Sequence, residues 1–307
     1  MTLLAIHTHA ELLMEGGGDA PAGRLSAASG LVRRDGRQYV LADDEHHLAV
    51  FDATAGKGRW VRLLDGELPN RRRKAAKPDL ETLIELPESE EFPFGALLAL
   101  GSGSRPNRQT GVVASFDVNG ELNVPPRLMS LAELYEPLRR EFGDLNIEGG
   151  FQIGNEFCLL QRANRKQPRN VCSRFAWNEI GSWLCEGRYP VPSPKAFEPY
   201  DLGSIECVVL GFTDAATLPG GEWVFSAVAE ATDNSYLDGA CVGSAIGLVA
   251  ADGRLLALHR LEGRWKVEGI AASVLSGGEM IELTLVTDAD DRSRPTSSLT
   301  VRMPRES

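Results

Sequence analysis

Short apolar runs separated by polar turns follow one another along the chain, at a spacing of about ten residues in its first part. Residues 37–42 and 48–52 are two such runs, and the charged segment 43–47 separates them. Runs of this length with turn residues between them predict β-strands joined as meanders. The pattern therefore predicts an all-β protein.

A short string containing a carboxylate recurs ahead of these groups of strands. Its four copies are Asn-Ile-Glu-Gly at Glu148, Asp-Leu-Glu-Thr at Glu81, Ser-Ile-Glu-Cys at Glu206 and Lys-Val-Glu-Gly at Glu268, and a weaker copy carries Ser29. In chain order the copies lie 52, 67, 58 and 62 residues apart. A repeat of this period indicates stacked supersecondary units.

Each unit offers a strand with the repeated string, a strongly apolar second strand, a charged turn and a third strand. Four units add a fourth strand, and the N-terminal strand 3–13 can supply the one that the last unit lacks. Such closure removes exposed sheet edges. The sequence predicts one β-propeller domain over residues 1–307, with five four-stranded blades. A sixth blade would have to come from the segment 187–220.

One helix interrupts this pattern. Residues 130–142 begin with a Ser cap and carry Glu133 three residues later, followed by apolar residues at helical spacing. We predict a connector helix here.

The bulk properties exclude several classes of partner. The 307 residues carry a formal net charge of −11, with a pI near 5.1, whereas nucleic acids and anionic membranes bind clustered cations. No stretch reaches the length of apolar residues that a membrane span needs. Five scattered cysteines without a CxxC motif, and an N-terminus unlike a signal peptide, predict a cytoplasmic protein with reduced thiols. The oligomeric state stays open.

The repeated carboxylates are the candidate site. The first strand of each propeller blade lines the axis, so Glu81, Glu148, Glu206 and Glu268 should form a ring at one level. Such a ring needs a hard cation, cationic side chains or raised pKa values. The turns after the second strands supply guanidinium groups at Arg105, Arg108, Arg162, Arg165 and Arg292.

Three roles remain open for these glutamates. They can accept hydrogen bonds from backbone N–H groups of the next blade, hold a metal in the channel, or act as acids and bases. A GxSxG motif is absent from the sequence and no cysteine has an identifiable His partner, so nucleophilic catalysis has no support.

The succession of Asp-Leu-Glu, Asn-Ile-Glu-Gly and Lys-Val-Glu-Gly-Ile strings, each followed by an apolar strand and a charged turn, resembles a group of bacterial β-propellers. These are the SdiA-regulated family, the esterase-like phytase domain and related domains of unknown function. The resemblance covers about residues 25–304. It implies a propeller and a calcium ion held by acidic residues at the channel mouth. Carried over to this sequence, the resemblance implicates Glu81, Glu148, Glu206 and Glu268, with Asp288 on the adjoining turn, and the metal ligands it implies are Glu148, Glu268 and Asp288.

Two classes of function follow as expectations. The first is a protein that binds a small polar or anionic ligand at a mouth lined by Glu and Arg, with or without a divalent cation. The alternative is a calcium-assisted hydrolase of an ester or phosphoester, in which the cation polarises the substrate and activates water.

Overall fold

The apolar runs form strands that pair antiparallel in chain order and build five sheets around one axis in the computed structural model. The structure describes residues 1–15, 24–52, 57–66, 77–164, 166–186, 190–231, 239–289, 291 and 293–305. The predicted β-propeller with five four-stranded blades is confirmed. No helix in the described ranges is long and apolar enough to cross a membrane.

The innermost strand of each blade carries the repeated position. These strands contact one another in a ring, each touching the inner strands of the two neighbouring blades. In blade order they are β3 (Ala28–Arg34), β7 (Leu80–Leu86), β11 (Ile147–Ile153), β16 (Val208–Thr217) and β20 (Lys266–Val274).

The second and third strands are the most apolar, because both of their faces are covered by neighbouring blades. The second strands are β4 (Arg37–Ala42), β8 (Ala96–Gly101), β12 (Glu156–Gln161), β17 (Trp223–Glu230) and β21 (Met280–Asp288). The third strands are β5 (His47–Asp52), β9 (Thr110–Ser115), β13 (Asn170–Ala176), β18 (Cys241–Val249) and β22 (Ser297–Pro304).

The outer strands are shorter and more polar. They are β6 (Arg59–Arg62), β10 (Arg127–Ser130), β14 (Ala196–Tyr200), β19 (Leu255–Leu261) and β2 (Ile6–Glu11). As predicted, the N-terminal strand closes the ring, because β2 pairs antiparallel with β22 of the fifth blade. A further strand, β1 (Thr2–Leu4), pairs parallel with β19 of the fourth blade. The N-terminus therefore joins two blades.

The segment 187–220 does not form a sixth blade. Its described part holds the outer strand β14, the two-residue strand β15 (Ser204–Ile205) and the start of the inner strand β16. Strand β15 turns back directly onto β16 as a hairpin. This hairpin extends the fourth blade.

Five apolar cores lie between neighbouring blades, one at each interface. The core between the third and fourth blades is rich in aromatic rings, and Trp223 lies there against Phe151 and Phe225. Each blade therefore buries both faces of its sheet, which is what makes period-2 patterning weak in the second strands.

Two helices pack on the core between the second and third blades. The predicted connector is present as α1 (Ala132–Glu141), and it buries Leu134, Tyr135 and Leu138. The second helix, α2 (Trp177–Glu186), was not predicted. The helix begins at Trp177, directly after the last residue of strand β13. No turn residue separates the two, so the sequence does not show where the strand ends and the helix begins.

Candidate functional site

Every inner strand has a β-bulge at the same place. In each blade the pairing of the inner strand with the second strand skips one residue, and the skipped residues are Ser29, Glu81, Glu148, Thr213 and Glu268. A bulge turns the extra residue out of the regular ladder and re-aims its side chain. The bulge is present in all five blades, and the repeated string marks it in four of them, at Ser29, Glu81, Glu148 and Glu268.

The prediction was wrong about where Glu206 lies. This residue belongs to the tight turn between β15 and β16, where its backbone has a φ of 51°. Its exposed carboxylate pairs with Arg260 and Arg264, at 3.5 and 3.3 Å. The fourth blade carries Thr213 at the bulge instead. The string Ser-Ile-Glu-Cys resembles the other copies without sharing their conformation.

The two bulge residues with hydroxyl groups link neighbouring blades. The Oγ of Ser29 donates a hydrogen bond of 2.7 Å to the backbone carbonyl of Leu80 in the second blade. In the same way, the Oγ1 of Thr213 donates to the carbonyl of Val267 in the fifth blade, at 2.8 Å. Each carbonyl precedes the bulge residue of the next blade. Here the bulge position holds the ring together, through hydroxyl donors.

Glu148 and Glu268, the bulge residues of the third and fifth blades, converge on one guanidinium group. Nη1 of Arg162 lies 3.2 Å from Glu148 and 3.5 Å from Glu268, and Nη2 lies 2.7 Å from Glu230. Although burial alone would lower it, the three carboxylates raise the pKa of Arg162. The expected contact between Glu148 and Arg162 is present, and Arg162 connects three blades.

These residues form one half of the channel mouth, the end of the axis at which the inner strands begin. An ammonium group completes this half. Nζ of Lys266 lies 2.9 Å from Asp288, and 3.8 Å from both Glu230 and Glu268. Burial raises the pKa of Glu268 to about 8, in spite of Arg162 and Lys266. Burial therefore favours the protonated form of Glu268, and the two cationic side chains oppose it.

The other half of the mouth centres on Lys77, between the first and second blades. Its ammonium group contacts Asp43 and lies 3.0 Å from Asp79. Asp79 is buried, has a left-handed φ of 55°, and also pairs with the buried Arg108 at 2.8 Å. A non-glycine residue in this conformation is strained, and such strain concentrates at functional sites.

Glu81, the bulge residue of the second blade, differs from its equivalents. Its carboxylate makes no hydrogen bond or ion pair with the described residues. Burial, followed by the charges of Asp79 and Asp43, raises its pKa well above the usual range. Burial also raises the pKa of Asp43, to about 6. This part of the mouth therefore holds more negative charge than its partners offset.

Among the described residues, Asp43, Asp79 and Glu81 are the one group of three acidic, His or Cys side chains with ligand atoms close enough for one metal ion. One oxygen from each lies within 4.8 Å of the others. Carboxylate oxygens suit Ca²⁺ and Mg²⁺, so the donors fit the cation that the resemblance implies. The predicted combination of Glu148, Glu268 and Asp288 is not brought together in this way, and Asp288 instead pairs with Lys266.

The predicted arginines fall in different places. Arg108 and Arg162 are buried in the mouth, whereas Arg105 is exposed at the start of a short 3-10 helix. Arg165 and Arg292 lie outside the described residues. The ring of Glu and Arg was therefore predicted in part, with two of its arginines placed.

Several mouth residues were missed, although a signal for them exists. Asp79, Asn146 and Lys266 each lie two residues before a bulge glutamate. Alternate strand residues share a face, and Asn146 donates a hydrogen bond to Glu148. Reading the residue two positions before each glutamate would have found all three. Asp288, which was named as a candidate metal ligand, also lies at the mouth, where it pairs with Lys266.

The residue that follows the bulge of the fourth blade, Asp214, connects inner strands at the axis. Its fully buried carboxylate accepts hydrogen bonds from the N–H groups of Ala215, Ile270 and Leu31, at 2.8, 2.9 and 3.4 Å. These donors belong to three different inner strands. Burial raises the pKa of Asp214 despite the three donors. The expected role of a carboxylate that ties blades together by accepting N–H groups exists, but Asp214 performs it.

Comparison with known proteins places the chain in a family. Residues 24–303 match the model of DUF6929, a family of unknown function, and the chain belongs to this family. No curated protein matches the chain.

The solved structures that resemble this fold share little sequence identity with the chain. A luciferin-regenerating enzyme is 12% identical with a TM-score of 0.41, covering 91% of this chain and 78% of its own. A gluconolactonase from Xanthomonas campestris is 12% identical with a TM-score of 0.40, covering 87% and 69%. The PQQ-bound aldose sugar dehydrogenase from Streptomyces coelicolor is 14% identical with a TM-score of 0.40, covering 96% and 98%.

Proposed function

We propose that this member of DUF6929 is a binding protein that takes up a divalent cation at Asp43, Asp79 and Glu81 and uses it to hold a small polar or anionic ligand at the channel mouth. The observation that carries the proposal is the group of three carboxylates, contributed by two blades, whose oxygens lie within 4.8 Å of one another. Hard oxygen donors of this kind match Ca²⁺ best, as the resemblance to calcium-binding propellers also implies.

The charge of the mouth supports a cation. Among the residues of the mouth that the structure describes, seven carboxylates (Asp43, Asp79, Glu81, Glu148, Glu230, Glu268 and Asp288) surround four cationic side chains (Lys77, Arg108, Arg162 and Lys266). Buried like charges at this distance cannot all stay ionised without compensation. Protons on Glu81 and Glu268 are one source of compensation and a divalent cation is the other. Cation binding should therefore release protons.

Lys77 acts as the resident cation of this half of the mouth. Its ammonium group already neutralises Asp43 and Asp79, so a divalent cation has to displace it from at least one of them. A lysine side chain can swing away, because its charge is a single point on a flexible stem. This competition should keep the affinity moderate.

Binding fits the mouth better than hydrolysis does. In a calcium-assisted ester or phosphoester hydrolase, a cationic side chain near the metal would stabilise the developing negative charge. Near the proposed cation, Lys77 and Arg108 already pair with Asp43 and Asp79. In the other half of the mouth, the Arg162 guanidinium contacts three carboxylates and is thereby neutralised. An anionic ligand would instead be held by the cation itself.

The test is calorimetric titration of the chelator-treated protein with Ca²⁺ and with Mg²⁺. We expect saturable Ca²⁺ binding that Glu81→Gln weakens at least tenfold. The matched control is Glu206→Gln, the same substitution in an exposed ion pair on the fourth blade, which should bind as the wild type does. Absence of Ca²⁺ binding by the wild type, or equal loss in both variants, would refute the proposal.

Lys77→Met supplies the complementary measurement. Removing the competing ammonium group should raise the Ca²⁺ affinity about tenfold, a change of ~1.4 kcal/mol. The variant should also gain more thermal stability from Ca²⁺ than the wild type does, because its carboxylates have lost their resident partner. Weaker Ca²⁺ binding by Lys77→Met would show that the lysine helps to build the site.

A further inference from the structure

A second opening lies at the other end of the axis, where the inner strands finish. It is a cavity of about 130 Å³, and every blade contributes three consecutive residues to its wall. The lining segments are 31–33, 83–85, 150–152, 215–217 and 270–272. Asp214 lies next to the inner end of this cavity, since the N–H groups of Leu31, Ala215 and Ile270 in the wall donate to its carboxylate.

The wall of this lower cavity is made largely of backbone. An inner strand pairs with its blade on one edge and faces the axis with the other. In an antiparallel strand the N–H and C=O of one residue point the same way, and alternate residues repeat that direction. Leu31, Ala215 and Ile270 direct their N–H groups to the axis, so Arg33, Thr217 and Ala272, two residues further on, do the same.

The same register applies in the other two blades. Counting from the bulge, Leu83 and Glu85 in the second blade and Gly150 and Gln152 in the third take these positions. The lower cavity is thus lined by inward-facing N–H and C=O groups of all five inner strands. At the inner level, Leu31, Leu83, Gly150, Ala215 and Ile270 are buried, and their backbone groups need partners from Asp214, water or a ligand. At the rim, Arg33, Glu85 and Thr217 are exposed.

The side chains at the rim add little net charge. Arg33 donates a 2.9 Å hydrogen bond to Thr284, and Glu85 pairs with Arg34 at 3.2 Å. Asp214, below the floor, is surrounded by three N–H donors. The cavity therefore combines many donors and acceptors with one charge of each sign at its rim.

We propose that the lower cavity binds a small neutral polyhydroxy compound, a polyol or a monosaccharide, through the inward-facing backbone groups of the five inner strands. Hydroxyl groups both donate and accept, as this wall requires. An anion would face the Asp214 carboxylate, and an apolar ligand would leave the backbone groups without partners. The volume lies below the roughly 300–1,000 Å³ of sites for drug-sized ligands, so the ligand is small.

The test is titration of the ¹⁵N-labelled full chain with glycerol, erythritol and xylose, in the presence of a chelator. We expect saturable shifts in the amide signals of Leu83, Gly150, Arg33 and Gln152 with at least one of the three. Acetate and ammonium, at the same concentrations, should leave these signals unchanged. Shifts confined to the acidic mouth, shifts with acetate or ammonium alone, or no saturable shift would overturn the proposal.

A variant at the rim gives an independent measurement. Thr217 is exposed at the cavity end of β16, and Thr217→Trp should obstruct the entrance and weaken polyol binding about tenfold, ~1.4 kcal/mol. The control is Val209→Trp, at the exposed opposite end of the same strand, which should bind normally. Equal affinity of the two variants would contradict binding in this cavity.

Discussion

Asp214 connects three blades at the axis. It accepts N–H groups from three inner strands in a fully buried position. One carboxylate thus satisfies three N–H donors that face the axis. Buried N–H groups left without an acceptor cost about 1–3 kcal/mol each.

We expect Asp214→Asn to lower the free energy of unfolding by about 2 kcal/mol, because the amide replaces one acceptor oxygen by a donor that faces N–H groups. Chemical denaturation measures the effect. Asp201→Asn is the matched control, since Asp201 is exposed and accepts one local hydrogen bond. A loss below that of the control would show that the axial bonds are not needed for stability.

Glu268 should make stability depend on pH. Its pKa is about 8 in the folded protein and 4.5 in an unperturbed side chain, so the folded state binds a proton more tightly than the unfolded state. Its contribution to stability is then complete below pH 4.5 and is lost as the pH rises through 8. Glu268→Gln mimics the protonated form.

The variant Glu268→Gln should therefore gain stability relative to the wild type as the pH rises from 4.5 to 8. Denaturation of both proteins with a chelator present, at several pH values in this range, measures the difference. A difference that shrinks toward pH 8 would mean that the ion pairs with Arg162 and Lys266 outweigh the cost of burial.

At the scale of the strands, the repeated bulge explains the glycines that follow it. Gly149 and Gly269 come directly after bulge glutamates. A Cβ atom on Gly149 would lie 2.9 Å from the Cα of Asp214, and one on Gly269 would lie 2.9 Å from the backbone nitrogen of Leu31. The inner strands approach one another too closely here for any side chain.

Gly149→Ala and Gly269→Ala should each cost about 1–3 kcal/mol of stability through this overlap. Gly143→Ala is the control, because nothing lies within 4 Å of the added atom at that exposed position. Thermal unfolding of the three variants would decide the matter. If all three unfolded at one temperature, the close approach of the strands could not be what selects glycine.

The strand pattern predicted the blades because the two central strands are apolar in every blade. It could not place the fourth inner strand. Thr213 shares the bulge conformation with Glu148 but not its side chain, whereas Glu206 shares the local letters but not the conformation. The site was also predicted only in part. Lys77 is remote in sequence from Asp43 and contacts it across the interface between two blades, and a strand pattern does not predict such a contact.

At the scale of the whole molecule, the N-terminus fastens the ring. Strand β2 supplies the outer strand of the fifth blade, and β1 adds to the edge of the fourth. Removal of β2 would leave the edge of β22 unpaired, which invites pairing between molecules.

Deleting residues 1–11 should therefore lower the melting temperature and cause aggregation, whereas deleting residues 1–5 removes β1 alone and should have a smaller effect. Thermal unfolding and light scattering of the two truncated proteins measure the contrast. Equal behaviour of the two would place the stabilising contact in β1.

The position of Asp214 links the two ends of the axis. Its carboxylate is bonded to N–H groups of Leu31, Ala215 and Ile270, which lie in the wall of the lower cavity, and it directly follows the bulge residue Thr213. Protonation or displacement of this one side chain would therefore disturb three inner strands at once, and would alter the wall of the lower cavity from the side of the acidic mouth.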